Sequence, residues 1–157
     1  MNLKRKDMEK RLDKLAQTVS KWKGAWYRDG KWWNKCITCG RIVPMEGKNA
    51  GQGGHFFPRG VKNLRWDKLN INCQDAYCNL YKNGAYIEYS KWFIETYGVD
   101  TFSEYMEKYE SYKRGDFKGY KVGEVAEIYN YWLKKGRELE EKVGHQLFPK
   151  TWKYATM

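Results

Sequence analysis

Apolar side chains recur at intervals of four, three, four and three residues through Met8, Leu12, Leu15, Val19 and Trp22, the spacing of one helix face. Lys4, Arg5, Lys6, Lys10, Arg11 and Lys14 cover the rest of that surface, so residues 1–22 are predicted to form a basic amphipathic helix. Residues 23–35 lose the period and read as a loop rich in rings and charge, with Trp26, Tyr27, Trp32 and Trp33 more suited to core or zinc-knuckle packing than to stacking on unpaired bases. Residues 40–72 hold six of the 15 glycines and two of the three prolines, and read as short strands joined by turns. The helical period returns from Ala85. Tyr86, Tyr89, Trp92, Phe93 and Thr96 mark one helix stopped by Gly98, and Phe102, Tyr105, Met106, Tyr109 and Tyr112 mark a second that stops near Gly115. Val122, Val125, Tyr129, Trp132, Leu139 and Val143 mark a third, ending at Gly144, after which Phe148, Pro149 and Trp152 are expected to fold back as a tail. A chain of 157 residues with 41% hydrophobic content suits one ordinary core, and no stretch approaches the ~20 apolar residues of a membrane helix.

The four cysteines fall in two pairs, Cys36 and Cys39 in C-I-T-C-G, and Cys73 and Cys78 at C-x4-C. Zn²⁺ takes four ligands in a tetrahedron, two thiolates on one turn supply an edge of it, and structural sites use such close pairs. The chain opens M-N-L-K-R-K with no apolar leader, which points to a reducing cytoplasmic setting where metal is favoured over disulfides. A structural zinc on Cys36, Cys39, Cys73 and Cys78 is therefore expected. A regular C-x-x-C would put a cysteine at position 75, where this chain has Asp75, so Cys73 would serve from a shifted position on a bent loop.

Charge changes the picture further. Residues 1–66 hold 16 Lys and Arg against 5 Asp and Glu, whereas residues 67–157 hold 14 of each, so the whole net charge of +11 lies in the first part. A basic half of this kind releases counterions on meeting a phosphate backbone, which makes DNA the expected partner.

The chemistry is concentrated between the cysteine pairs, in G-Q-G-G-H-F-F-P-R-G around His55. Histidine is the side chain most easily poised as a base near neutral pH, and phosphodiester hydrolysis needs a base to deprotonate a water in line with phosphorus. Gly53 and Gly54 would let backbone approach a phosphate, and Arg59 would hold one of its oxygens. Asn79, directly after Cys78, offers a carbonyl to a catalytic divalent ion, and Asn70 in N-I-N-C-Q offers an amide to orient the far nitrogen of His55. No serine, tyrosine or cysteine stands in the hairpin motif, so water is the expected nucleophile. A lone histidine is more often structural than catalytic, and His145 in V-G-H-Q has only that reading.

C-I-T-C-G, G-G-H-F-F-P-R-G, L-R-W-D, N-I-N-C-Q-D-A-Y-C-N and Y-K-N-G-A-Y-I-E-Y resemble, over residues 36–98, the lambdoid phage NinG (Rap) recombination endonucleases of the HNH, or ββα-metal, nuclease group. The resemblance implies an α+β fold and a single nuclease domain: the basic N-terminal helix at 1–22, a zinc-clipped ββα-metal core at 36–84 and a helical part at 85–157. It implies a metal-dependent endonuclease that cleaves branched intermediates such as Holliday junctions and D-loops in the cytoplasm of the phage's host, with Mg²⁺ or Mn²⁺ as catalytic ion. His55 would be the general base, Asn70 the central asparagine and Asn79 a metal ligand, with Arg59, Lys62, Arg65, Lys4, Arg5, Lys6 and Arg11 contacting DNA. Many HNH nucleases carry an acidic ligand directly before the base, where this chain has Gly54, and Asp67, Asp75 or Glu88 would have to replace it. Symmetric cutting of a junction favours a homodimer. Two other readings use the same residues: a zinc-ribbon DNA-binding protein without catalysis, and an HNH nuclease with sequence-specific or nonspecific selectivity.

Overall fold

The first apolar stripe forms α1 (Arg5–Lys21) and lies against α4 (Val122–Val143) in a computed structural model that describes residues 3–156. Met8, Leu12, Leu15 and Ala16 of α1 pack with Val125, Tyr129, Trp132 and Leu133 of α4. The tail folds back as expected: Phe148 is buried in this core, and Gly136 of α4 leaves the space that Phe148 and Leu15 fill. Arg137 pins the tail by donating to the carbonyls of Pro149 and Trp152, each at 2.9 Å.

The three later helical stripes form α2 (Tyr86–Tyr97), α3 (Val99–Lys113) and α4. Gly98, Gly115 and Gly144 end them at positive φ of 92°, 80° and 82°, which glycine adopts without strain; Gly144 has the left-handed helix-stop conformation, while Gly98 is extended at ψ 157°. No helix among the described residues is long and apolar enough to cross a membrane.

Residues 23–35 are not the expected loop. They fold into a hairpin of β1 (Trp26–Arg28) and β2 (Lys31–Lys35), to which β3 (Ile42–Pro44) adds antiparallel. Asp29 and Gly30 close it at φ of 50° and 78°, both left-handed, as a two-residue type I′ turn requires. The rings serve packing: Trp32 meets Trp22 edge-on at 5.7 Å and Tyr27 at 5.5 Å.

A second, two-stranded sheet pairs β4 (Gln52–His55) with β5 (Ile71–Gln74), His55 opposite Ile71 and Gly53 opposite Cys73. A single π-helical turn, Tyr77–Tyr81, follows β5. Phe56 and Phe57, next after His55, enter an aromatic core with Tyr89 and Phe93 of α2 and Tyr105 of α3; Phe56 stacks on Tyr89 at 4.8 Å. The last residue of β4 is thus held on a rigid base.

The two glycines before His55 allow internal contacts rather than only an approach to phosphate. A Cβ on Gly53 would lie 2.5 Å from the backbone oxygen of Gln17, so α1 rests on β4 main chain to main chain. A Cβ on Gly54 would fall inside the buried Gln74 side chain, so no acidic side chain fits directly before His55. Gly53→Ala should destabilise the fold by about 1–3 kcal/mol, read as a lower urea midpoint. Gly60→Ala, with nothing within 4 Å, should stay within about 0.5 kcal/mol of the parent.

Candidate metal centre and histidine cavity

Cys36 leaves β2 and turns through Cys39 in a knuckle whose Gly40 N–H donates back to the Cys36 carbonyl at 2.9 Å. The sulfurs of Cys36, Cys39 and Cys78 and a carboxylate oxygen of Asp75 all lie within 4.8 Å of one another. Three thiols and one carboxylate form a donor set that suits zinc. Asp75 holds its place because Oδ1 accepts the N–H of Cys78 at 2.8 Å, capping the first turn after β5, which leaves Oδ2 to accept from the Cys39 thiol at 2.8 Å. Burial, and then the Asp75 carboxylate, push the Cys39 thiol up to about 12, a charge conflict that a divalent cation at this point would relieve.

Cys73, expected as the fourth ligand, lies outside this set. It sits within β5, ladder-paired with Gly53, and its sulfur packs into the space beside Gly51. Burial pushes its thiol up to about 12, as for an apolar core residue. Asp75 takes the fourth place because it lies past the end of the strand, where the chain is free to turn. Its signal was D-A-Y-C, which has the two-residue spacing of a C-x-x-C.

A cavity of about 290 Å³ brings together His55, Arg59 and Asn79, the last from the π-helical turn. Gln17, Asn83 and Tyr86, not anticipated from the sequence, complete its wall. His55 Nε2 lies 3.1 Å from the carbonyl of Arg65. A carbonyl only accepts, so Nε2 carries the proton of the neutral ring and Nδ1 keeps the free lone pair. Burial holds the His55 pKa below its ordinary 6.5, aided by the charges of Arg59 and Arg65 and opposed by the Arg65 carbonyl and Asp13. The ring is therefore neutral at pH 7.

Asn70 does not touch that ring, contrary to expectation. It is fully buried and binds the loop backbone, accepting from the N–H of Phe57 at 2.8 Å and donating to the carbonyls of Phe57 at 3.0 Å and Leu64 at 2.9 Å. The Arg65 carbonyl, one residue on from Leu64, orients His55 instead. Asn79 donates its amide to Gln52 Oε1 at 2.9 Å, which leaves its carbonyl oxygen available. Among the described residues no carboxylate lines this cavity. Asp67 accepts from Tyr105 and faces Lys108, Asp75 belongs to the cysteine cluster, and Glu88 is exposed in the first turn of α2.

The basic residues divide by environment. Asp13 of α1, unforeseen from the sequence, accepts two bonds from Arg65, at 2.9 and 2.6 Å, and one from the Trp66 indole at 2.9 Å, with Arg59 at 3.7 Å. Lys4, Lys6 and Lys62 are exposed, and Arg5 pairs with Glu9 at 3.5 Å. Arg11 is turned into the fold, donating to the Tyr129 hydroxyl at 3.3 Å and covering the Trp152 ring at 5.1 Å, so it is not the open DNA contact expected of it. His145 pairs with Glu46 at 2.7 Å on the surface.

The chain is thus an α+β protein with a Cys₃Asp donor set able to hold a metal ion and a cavity around His55. It belongs to the NinG family: the family model described as Bacteriophage Lambda NinG protein matches residues 2–142. No curated protein and no solved structure matches it.

Metal analysis should find one zinc per chain, lost in Asp75→Ala and Cys78→Ala and kept in Cys73→Ala. The reverse pattern would restore Cys73 as ligand. Structural zinc is worth on the order of 10–16 kcal/mol of apparent binding free energy, so chelation should unfold at least the region around β2 and β5.

Proposed function

We propose that this protein is a metal-dependent, structure-selective DNA endonuclease of the ββα-metal type, acting on branched recombination intermediates such as Holliday junctions and D-loops. The observation that carries the reading is the cavity in which a neutral histidine, its proton fixed on Nε2, faces Arg59 and Asn79. β4, β5 and the π-helical turn that bears Asn79 would form the ββα unit. Zinc at Cys36, Cys39, Asp75 and Cys78 would lock that turn to the knuckle after β2.

In this mechanism His55 Nδ1 takes a proton from a water in line with the scissile phosphorus, while Nε2–H stays bound to the Arg65 carbonyl. Arg59, exposed and only loosely paired with Asp13, turns to a non-bridging phosphate oxygen. The Asn79 carbonyl, with Asn83 beside it, would hold Mg²⁺ or Mn²⁺ together with the phosphate, and the ion supplies positive charge for the departing 3′ oxygen. Mg²⁺ usually takes one or two carboxylates besides substrate phosphates, and among the described residues this cavity offers none, so the ion would rest on amide carbonyl, water and the phosphates of bound DNA. The products carry a 5′ phosphate and a 3′ hydroxyl.

His55→Ala should lower cleavage of a four-way junction by roughly 10²- to 10⁴-fold while junction binding stays near normal. Cleavage by this variant at the parent rate would overturn the reading and leave the zinc-containing DNA-binding protein in its place. Because the neutral ring is the active form, kcat/KM should rise with pH through an apparent pKa below 6.5 and be level at neutrality. An acid limb centred above 6.5 would assign the base to another group.

A further inference from the structure

A second cavity, of about 340 Å³, is walled in part by Arg65, the residue whose carbonyl meets His55. Arg5, Lys62, Arg65 and Lys118 contribute four cations to its wall against the single acid Glu9. Glu9 is taken by Arg5 and Asp13 holds Arg65, whereas Lys62 and Lys118 have no ion pair among the described residues. The rest of the wall is aromatic: Tyr120 lies nearly parallel to Trp66, 6.0 Å away at 29°, and Phe117 meets Tyr120 edge-on at 5.0 Å.

The cavity is built across two segments. Phe117, Lys118 and Tyr120 come from the link between α3 and α4, and the Tyr120 hydroxyl ties that link to the loop after β4 by donating to the Asn63 carbonyl at 3.2 Å. Arg65 belongs to both sites, since its carbonyl accepts from His55 while its side chain walls the second cavity. Unneutralised lysines beside stacked rings complement a ligand that is anionic at one end and flat at the other. A paired duplex presents phosphates but no free base face; an unpaired nucleotide presents both.

We propose that this cavity receives an unpaired nucleotide of branched DNA, its base stacked against Phe117 and Tyr120 and its phosphate held by Lys62 and Lys118. The proposal rests on the reading of DNA as substrate and adds how a branch with a single-stranded part, such as a D-loop, is told from a duplex.

The test measures binding by fluorescence anisotropy in Ca²⁺, on full-length protein carrying His55→Ala. The probes are a duplex with a single-stranded flap and a linear duplex of the same length. Lys62→Ala/Lys118→Ala, and separately Phe117→Leu, should weaken flap binding by roughly tenfold, the scale of one lost base stack or a pair of phosphate contacts, and duplex binding by less than about threefold. The lysine pair is exposed, so it reports even if the Phe117 variant fails to fold. Equal losses on both probes, or no loss, would overturn the proposal, as would competition by a glutamate peptide as strong as that by unlabelled flap DNA. Cleavage by the protein with His55 intact is scored apart. Branch-selective binding through these residues without any cutting would keep the cavity and remove the nuclease reading, and cutting with unchanged branch preference in the variants would do the opposite.

Discussion

The amide of Asn70 is the tie on which the histidine cavity depends. One buried side chain makes three hydrogen bonds to the backbone of the loop between β4 and β5, at both Phe57 and Leu64. That loop is long and carries little regular structure, the kind of segment that is ordered only when its backbone groups find partners. With Phe57 and Leu64 held, the carbonyl of Arg65 is presented to His55, and the histidine tautomer follows. The same loop places Arg59 at one cavity and Lys62 at the other, and Asp13 fastens Arg65 to α1 while holding Arg59 only loosely.

The cysteine cluster constrains the opposite end of the same hairpin. Asp75 joins two tasks: one oxygen caps the turn that carries Asn79, and the other faces three thiols. A metal at the cluster would therefore be linked mechanically to the position of Asn79, because the turn is held by Asp75, two residues before it, and by Cys78 within it.

Close packing explains a chemical peculiarity. The position before the histidine cannot hold an acid because Gln74 occupies the space that its side chain would need. Among the described residues the cavity is lined by amides, an imidazole, the Arg59 guanidinium and Tyr86, and the acid nearest its arginine is Asp13, outside the wall. Burial without a nearby acid in the wall keeps His55 neutral.

Local physics in the sequence determined the helices, the knuckle and the hairpin's chemical residues. Period and glycine stops placed α2, α3 and α4, since helix propensity and capping act over a few residues, and C-I-T-C with Cys78 marked three metal donors. The hairpin at Asp29 and Gly30 was legible in principle, but its ring-rich flanks lack the alternation that marks a half-buried strand. Only the tertiary structure decided the rest. Cys73 and Asp75 are two residues apart, and which one reaches the cluster depends on where β5 ends. Asn70 and the Arg65 carbonyl compete for His55 only once the loop is folded, and backbone carbonyls leave no trace in side-chain patterns. The crowding at Gly53 and Gly54 comes from α1 and Gln74, distant in sequence or across a strand pair. Contacts of that range are set by packing, which a one-dimensional pattern does not encode.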